Sequence, residues 1–196
     1  LISGSVAALQ SMINLCFDEL SYLDMRFNVS KSSVIRIGKR YKHQCAPLIV
    51  GNDILKFVDE VKYLGVFFVA GSHVRLNINK QKAKFYSALN GILYKCGGHM
   101  NEMVTFHLIN TFCRPLLLYG CDCVTLNKSS IDSLNHSWNR IYWKLFKVND
   151  LQCISDIQSF MCDISITDDI ASRYNSFLSR IRVSRNQVML LLYSLV

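Results

Sequence analysis

The sequence predicts an α+β chain that is mostly helical, with a small antiparallel sheet in its first third. Between Ser33 and Val69, apolar and polar residues alternate in short runs separated by turn residues, which is the period of β-strands. After Asn77, apolar residues recur at spacings of three and four, which indicates helices. We therefore divide the chain into a helix-and-sheet part, residues 1–70, and a helical part, residues 71–196.

The first part is predicted to open with a helix over about residues 6–25, because Ser3-Gly-Ser5 offers an N-cap and an apolar stripe follows. Gly51-Asn52-Asp53 lies between two β-rich runs, which is typical of a hairpin turn. Residues 57–69 are predicted to form two further short strands that fold about Gly65.

The second part is predicted to be all-helical. Gly97-Gly98 is expected to end its first helix, and Pro115 is expected to kink or break the next one near Thr111. Residues 150–163 are ambiguous, with a short helix as one interpretation. The predicted helices start at capping residues and run from Asn77 to Tyr94, from Asn101 to Phe112, from Ser129 to about Leu145, and from Thr167 to about Ile181.

The charge distribution predicts an anionic partner. The net charge is +8 with a pI near 9.1, and 51% of the residues are hydrophobic, so the chain is expected to form a core. Two stretches carry basic residues without any acid, one from Lys31 to Val50 and one between Glu60 and Glu102. Nucleic acid is the leading candidate partner, and a merely solvated basic face is the alternative.

The chain is expected to be intracellular, nuclear or cytoplasmic, and not secreted. Its eight cysteines are scattered singly, which favours reduced, buried thiols over a disulfide framework. No run approaches the roughly 20 apolar residues of a membrane span, so no membrane partner is expected.

Several motifs, in their order along the chain, resemble one family. Asn28-Val-Ser-Lys31-Ser32, followed by Lys62-Tyr-Leu-Gly65, is similar to the end of the palm in reverse transcriptases of non-LTR (LINE-type) retrotransposons. The first residues, Leu1 to Leu9, are similar to the segment that follows the Asp-Asp motif of that family. Further along, Arg114-Pro-Leu-Leu-Leu-Tyr119-Gly120 and the segment from Leu134 to Arg140 resemble its thumb and connecting helices.

The resemblance implies a palm remnant over residues 1–70, made of a helix, a lysine-bearing segment and a primer-grip hairpin, followed by an all-α thumb over 71–196. It implies a fragment of an RNA-directed DNA polymerase that starts just after the catalytic aspartates. The first residue is Leu1 and not Met, which indicates either a fragment or a mispredicted product. Such a fragment is expected to need no cofactor and to be inactive alone, because the carboxylates that hold Mg²⁺ belong to upstream segments. Its expected partners are an RNA/DNA primer–template duplex and the fingers and palm of the same polymerase.

The resemblance also assigns roles to residues. Lys31 corresponds to a lysine near the incoming triphosphate, a catalytic position in the intact enzyme, although a solvated lysine before a strand is the alternative. Tyr63, Leu64 and Gly65 would form the primer grip, or else only a tight turn. Lys80, Lys82 and Lys84 would face the phosphates of the duplex, or else form a solubilising face.

The sequence predicts no metal site, and it leaves a second class of function open. Asp168-Asp169 is interpreted as helix-capping chemistry, and His43-x-Cys45, Cys96-x-x-His99 and Cys121-x-Cys123 lack zinc-finger spacing, so no metal site is predicted. The alternative function is a non-enzymatic basic helical interaction module whose apolar faces bind another polypeptide.

Overall fold

The computed structural model describes residues 1–97, 100–184 and 186, and over these residues the chain is α+β and mostly helical, as predicted. It divides into two compact units, Leu1–Arg75 and a second unit that begins at Leu76.

The first unit contains one long helix, a short 3₁₀ helix and short strands. Helix α1 is capped as predicted, since the Ser5 side chain accepts a hydrogen bond from the Ala8 amide, but it ends three residues before the predicted Met25. The elements are α1 (Val6–Tyr22), the 3₁₀ turn Val29–Lys31, β1 (Ser33–Val34), β2 (Ile49–Val50), β3 (Asp53–Ile54), β4 (Lys56–Phe57), β5 (Glu60–Tyr63), β6 (Val66–Val69) and β7 (Arg75–Leu76), whose last residue is the first of the second unit.

Two predicted hairpins are present. Strands β2 and β3 pair antiparallel with Val50 opposite Asp53, and Gly51 in the turn has a φ of 59°. Strands β5 and β6 also pair antiparallel, with Tyr63 opposite Val66.

The prediction of a single antiparallel sheet is wrong, because the described strands form three separate small sheets in the orders β1-β4, β2-β3 and β5-β6-β7. Strands β1 and β4 pair parallel, with Ser33 opposite Lys56. The β2-β3 hairpin lies between them in sequence and returns the chain in the original direction, which a parallel pair requires.

A small core joins α1 to the β2-β3 hairpin. Ile13 on the helix packs with the buried Leu48, Val50 and Leu55. The Gln10 side chain also pairs with the backbone of Ile49, donating to its carbonyl oxygen and accepting from its amide, each at 2.8 Å. The Gln10 side-chain amide therefore pairs with backbone groups that β2 would otherwise leave without a hydrogen bond at its edge.

The second unit contains five helices among its described residues. Each has a side-chain N-cap, and the caps at Asn77 and Asn101 match the prediction. Two helices start earlier than predicted, because Asn127 and Ser165 are their caps. The helices are α2 (Ile78–Cys96), α3 (Glu102–Leu117), α4 (Lys128–Phe146), α5 (Leu151–Phe160) and α6 (Ile166–Arg182).

Of the predicted kink or break near Thr111, the break is wrong, because α3 continues through Pro115 to Leu117. Pro115 lies in the last turn of the helix, where it removes only the one hydrogen bond that its missing N–H would give to Thr111. Gly97, in contrast, ends α2 as predicted, with a φ of 57° and its amide bonded to the Leu93 carbonyl.

The core of the second unit is formed around Trp138, which is fully buried. Phe85 of α2 and Phe106 of α3 lie near its ring, with centroids 6.2 and 6.3 Å away. Helix α4 thus supplies the centre of the core, and α5 and α6 close it with Ile154, Ile166 and Ile170.

No described helix combines the length and the apolar character that crossing a bilayer requires.

Candidate nucleic-acid interface

The Asn28–Ser32 motif forms a turn that is held by its own side chains. The Asn28 carboxamide oxygen accepts hydrogen bonds from the Lys31 amide at 3.1 Å and from the Ser30 hydroxyl at 2.7 Å. The Ser32 hydroxyl donates to the Asn28 carbonyl oxygen at 2.9 Å. These bonds explain why Asn and Ser stand at the ends of the motif, and they leave the Lys31 side chain exposed.

Leu64 and Gly65 are the two central residues of the β5-β6 turn. Both have positive φ values, 46° for Leu64 and 83° for Gly65, as the primed turns of two-residue hairpins require. Gly adopts this conformation without cost, whereas a bulky Leu is disfavoured there. Leu64 and Tyr63 are 74% and 64% exposed, so the tip of the hairpin presents apolar side chains to solvent.

Helix α2 presents lysines on its outer face. Lys80 and Lys84, four residues apart, are exposed, and Lys95 is exposed near the C-terminal end. The helix contains no acidic residue, and Ser87 and Gly91, on the same face, are small and exposed. A Cβ added at Gly91 would meet nothing within 4 Å, which shows that this face is open.

Lys82 differs from its two neighbours. Its side chain is half-buried, and the ammonium group donates to the Ser133 hydroxyl of α4 at 2.9 Å. Because a helix turns about 100° per residue, Lys82 lies nearly opposite the outer face that carries Lys80 and Lys84. The three lysines therefore do not form one surface, and Lys82 connects α2 to α4.

Arg36, in the basic stretch of the first unit, is partly engaged by the protein. Its guanidinium donates to the His43 carbonyl oxygen and lies 5.0 Å from the centre of the Phe57 ring. This arginine organises the loop that returns to β2. Of the same stretch, Lys31, Lys39, Arg40 and Lys42 are exposed.

A buried ionic network in the second unit was not predicted from the sequence. Arg114 on α3 is only 7% exposed, and it contacts Asp163 at 2.5 Å and Asp169 at 2.7 Å. Its guanidinium also donates to the Ile164 carbonyl oxygen and lies 5.0 Å from the Trp138 ring centre. One arginine thus holds the segment between α5 and α6 against α3.

Asp163 is satisfied on both carboxylate oxygens. The oxygen that does not contact Arg114 accepts hydrogen bonds from the Trp138 indole at 3.0 Å and from the Tyr142 hydroxyl at 2.5 Å. Burial raises the pKa of Tyr142, and its hydrogen bond to Asp163 raises the pKa further, so the phenol stays protonated. A fully hydrogen-bonded carboxylate in the core serves to fix the fold rather than to react.

The adjacent acids Asp168 and Asp169 have separate roles. Asp168 accepts a hydrogen bond from the capping Ser165 at the start of α6. Asp169 contacts both Arg114 and Arg173; burial alone would raise the pKa of Asp169, but the hydrogen bonds from Arg173 and Arg114 outweigh burial and lower it. The capping interpretation therefore holds for Asp168, whereas Asp169 belongs to the buried network.

Among residues 1–97, 100–184 and 186, no three His, Cys, Asp or Glu side chains are grouped so that they could hold a metal ion. His99, of the Cys96-x-x-His99 spacing, and Gly98, of the predicted Gly97-Gly98 helix end, lie outside the described residues. All eight cysteines are free thiols, but only Cys113 and Cys121 are buried, so the prediction of buried thiols is wrong for Cys123, Cys153 and Cys162, which are exposed.

Lys31 and the Tyr63–Gly65 turn belong to the first unit, and the lysines of α2 belong to the second. Most of the residues that the sequence nominated are thus exposed, and the exceptions are Gly65 and Lys82, which are half-buried. No protein-family model, curated protein or solved structure matches the chain.

Proposed function

We propose that this chain is the palm-end and thumb part of an RNA-directed DNA polymerase of the non-LTR retrotransposon type, which binds a primer–template duplex but does not polymerise alone. The observation that carries the proposal is the outer face of α2, with exposed Lys80, Lys84 and Lys95 and no acid along the helix. A cationic helix face of this kind suits the phosphate backbone of a duplex.

Small residues on this face favour close approach of a sugar–phosphate chain. Ser87 and Gly91 lie between the lysines, so the backbone of the helix can come near a strand that the lysines neutralise. Contacts of this type fix position and carry no sequence information, which is what a polymerase thumb needs.

The turn of the β5-β6 hairpin supports a primer grip. Gly65 has no Cβ and a φ of 83°, and Leu64 keeps a large exposed side chain on a backbone conformation that is disfavoured for it. Strained, exposed residues of this kind cluster at ligand contacts. In the proposal, Tyr63 and Leu64 contact the 3′ end of the primer.

Catalysis is assigned to the intact polymerase. The chemistry needs carboxylates that hold Mg²⁺, and in the proposal these belong to the fingers and palm that precede this segment. Lys31, fixed at its backbone by Asn28 and exposed at its side chain, would then contact the triphosphate. Leu15 and Tyr22 of α1 and its C-cap residue Leu23 are exposed apolar side chains. Such side chains favour docking of the rest of the polymerase on this helix.

The test is the salt dependence of binding to a fluorescent RNA/DNA duplex, followed by anisotropy. Changing Lys80 and Lys84 together to Ala should weaken binding and make the log–log salt slope shallower by about 1.8, at about 0.9 per lost phosphate contact. The matched control is Lys82→Met, which removes a charge that is bonded to Ser133 and should leave the slope unchanged. Absent or salt-insensitive binding would contradict the proposal.

Primer extension tests the catalytic part. The purified chain with Mg²⁺, duplex and deoxynucleotides should incorporate nothing above background. Clear incorporation would refute the assignment of catalysis to other segments.

A helical interaction module is the second candidate, and one observation favours it. Helix α3 exposes an apolar stripe at near-helical spacing, with Val104, Phe112 and Leu116 on it and Tyr119 just beyond the helix. Exposed apolar patches mark protein interfaces. Size-exclusion chromatography distinguishes the candidates, since a monomer that binds duplex supports the polymerase part and a stoichiometric protein complex supports the module.

A further inference from the structure

We propose that the cleft between α4 and the start of α5 binds an unpaired base of single-stranded nucleic acid. This site is independent of the duplex surface on α2 and would engage a strand that has no partner. The cleft lies within the second unit and has a volume of about 460 Å³, within the roughly 300–1,000 Å³ that small-ligand sites occupy. Asn149 lies in the connecting loop, and the helical residues that line the cleft are His136, Asn139, Arg140, Trp143, Leu151 and Ile154.

Trp143 offers a flat aromatic surface. The chain has two tryptophans; Trp138 is fully buried in the core, whereas Trp143 is 44% exposed and lines the cleft. An exposed indole suits a base, because every base has a π-face and stacking needs no particular sequence. Leu151 and Ile154 add apolar lining from α5.

Cations accompany the indole. Lys147, the residue after α4, places its ammonium nitrogen 5.6 Å from the centre of the Trp143 ring. Arg140 lines the cleft with its guanidinium 5.9 Å from the Tyr86 ring, and no carboxylate is among the lining residues that the structure describes. Asp150, next to the cleft in sequence, caps α5 by accepting from the Cys153 amide. A cleft with this charge favours a phosphate-linked ligand.

Asn139 adds an unused polar atom. Its side-chain oxygen is buried and has no hydrogen-bond partner among the described residues, as is also true of one oxygen each in Asn135 and Gln81. Asn139 is the one of the three that lines the cleft. Buried polar atoms without a partner are rare in folded proteins, and a rotation of the Asn139 side chain toward the cleft would let a ligand group pair with this oxygen.

These features favour an unpaired base over a duplex. In a duplex the faces of each base are covered by its neighbours, so an indole could stack only at an end, whereas a single strand can turn a base outward. The lining combines one stacking surface, two carboxamides and a cation, which are the groups that aromatic-and-basic single-strand sites use.

The test uses the full chain and a single-stranded 12-nucleotide oligo(dT), with a blunt-ended duplex as comparison. We expect the single strand to quench part of the tryptophan fluorescence. Trp143→Ala should weaken its binding by about tenfold, as measured by anisotropy. Trp143→Phe keeps a ring for stacking and should keep most of the affinity while abolishing the quenching, since only the buried Trp138 then remains. Phe160→Ala, which removes an exposed aromatic ring of α5 outside the cleft, is the matched control and should change neither readout.

The results distinguish failure of the base site at Trp143 from failure of the duplex surface on α2. If Trp143→Ala and Arg140→Gln both leave single-strand affinity and quenching unchanged, the base site is refuted, whatever happens with duplex. If duplex binding is absent while single-strand binding depends on Trp143, the base site stands and the duplex proposal fails. Because an indole can stack on a duplex end, the duplex is long, so that its ends are few, and quenching per nucleotide equal to that by the single strand would also refute the proposal. Binding of the oligonucleotide that is lost in Lys80→Ala but not in Trp143→Ala would refute it as well.

Discussion

Arg114 and Asp163, which are 49 positions apart in the sequence, form a buried ion pair at 2.5 Å. The side chain of Asp163 is 1% exposed, and its carboxylate oxygens are paired with this arginine and with the donors of Trp138 and Tyr142. Replacing both members of a buried ion pair by apolar or neutral residues costs the fold little stability. Replacing only one of them costs much more, because the other charge is then buried alone.

Arg114→Met should therefore destabilise the second unit by about 3–5 kcal/mol, because it leaves the Asp163 carboxylate buried without its cation. Urea unfolding followed by tryptophan fluorescence measures the change. The double variant Arg114→Met/Asp163→Asn removes both charges and should recover part of the loss, and Arg173→Ala, at a partly exposed pair, should cost at most about 1 kcal/mol. A double variant no more stable than Arg114→Met would show that the loss comes from packing alone.

Asp169 should make the fold sensitive to acid. Its pKa is lowered in the folded state, so its contribution to stability is present above the unfolded pKa of about 3.9 and is lost as the pH falls through the folded value. Urea midpoints measured between about pH 6 and pH 2.5 should fall on acidification, and Asp169→Asn should fall less over the same range. Equal falls in both proteins would contradict this assignment.

Leu64→Asn should stabilise the β5-β6 hairpin by roughly 1 kcal/mol, because Asn tolerates a positive φ better than Leu. Slower hydrogen–deuterium exchange over residues 60–69 would show it. If the primer contacts this side chain, the same variant should lose duplex affinity. Leu64→Ala separates the two effects, since it removes the apolar side chain and keeps the strain; unchanged duplex affinity in both variants would remove Leu64 from the primer grip.

The thiols should divide into two classes. Burial raises the pKa of Cys113 to about 11 and is the largest cause that raises the pKa of Cys121 to about 12, so neither is nucleophilic at pH 8. Iodoacetamide labelling followed by mass spectrometry should modify the exposed Cys162 within minutes and Cys113 and Cys121 only after unfolding. Rapid labelling of Cys113 in the native protein would contradict the burial that the structure assigns to it.

Local signals in the sequence predicted the starts of five helices to within one residue, although not all of their ends. Ser5, Asn77 and Asn101 are side-chain caps whose chemistry is contained within four residues, and Gly97 ends α2 through its own backbone. The hairpin turns at Gly51 and Gly65 are local in the same sense. The break expected at Pro115 failed because the effect of a proline depends on how much helix follows it, which the residue itself does not show.

Long-range pairings were not predictable in this way. Nothing near Arg114 in sequence indicates that its partners lie about fifty residues later, and Lys82 looks like its neighbours until α4 brings Ser133 to it. The parallel pairing of β1 with β4 likewise depends on segments that come together only in the folded chain. The available signal for the buried ion pair was a single acidic residue, Asp163, shortly before a capped helix. That signal was too weak to predict the pair.

The Arg114 network sets a limit on how this protein can be dissected. Any shortened version that stops after α4 or α5 would strand a guanidinium in the interior beside Trp138, because Asp163 and Asp169 would be absent. The smallest helical piece worth expressing therefore extends through the first turns of α6, and deletion mapping that ends earlier would report misfolding rather than loss of a binding surface.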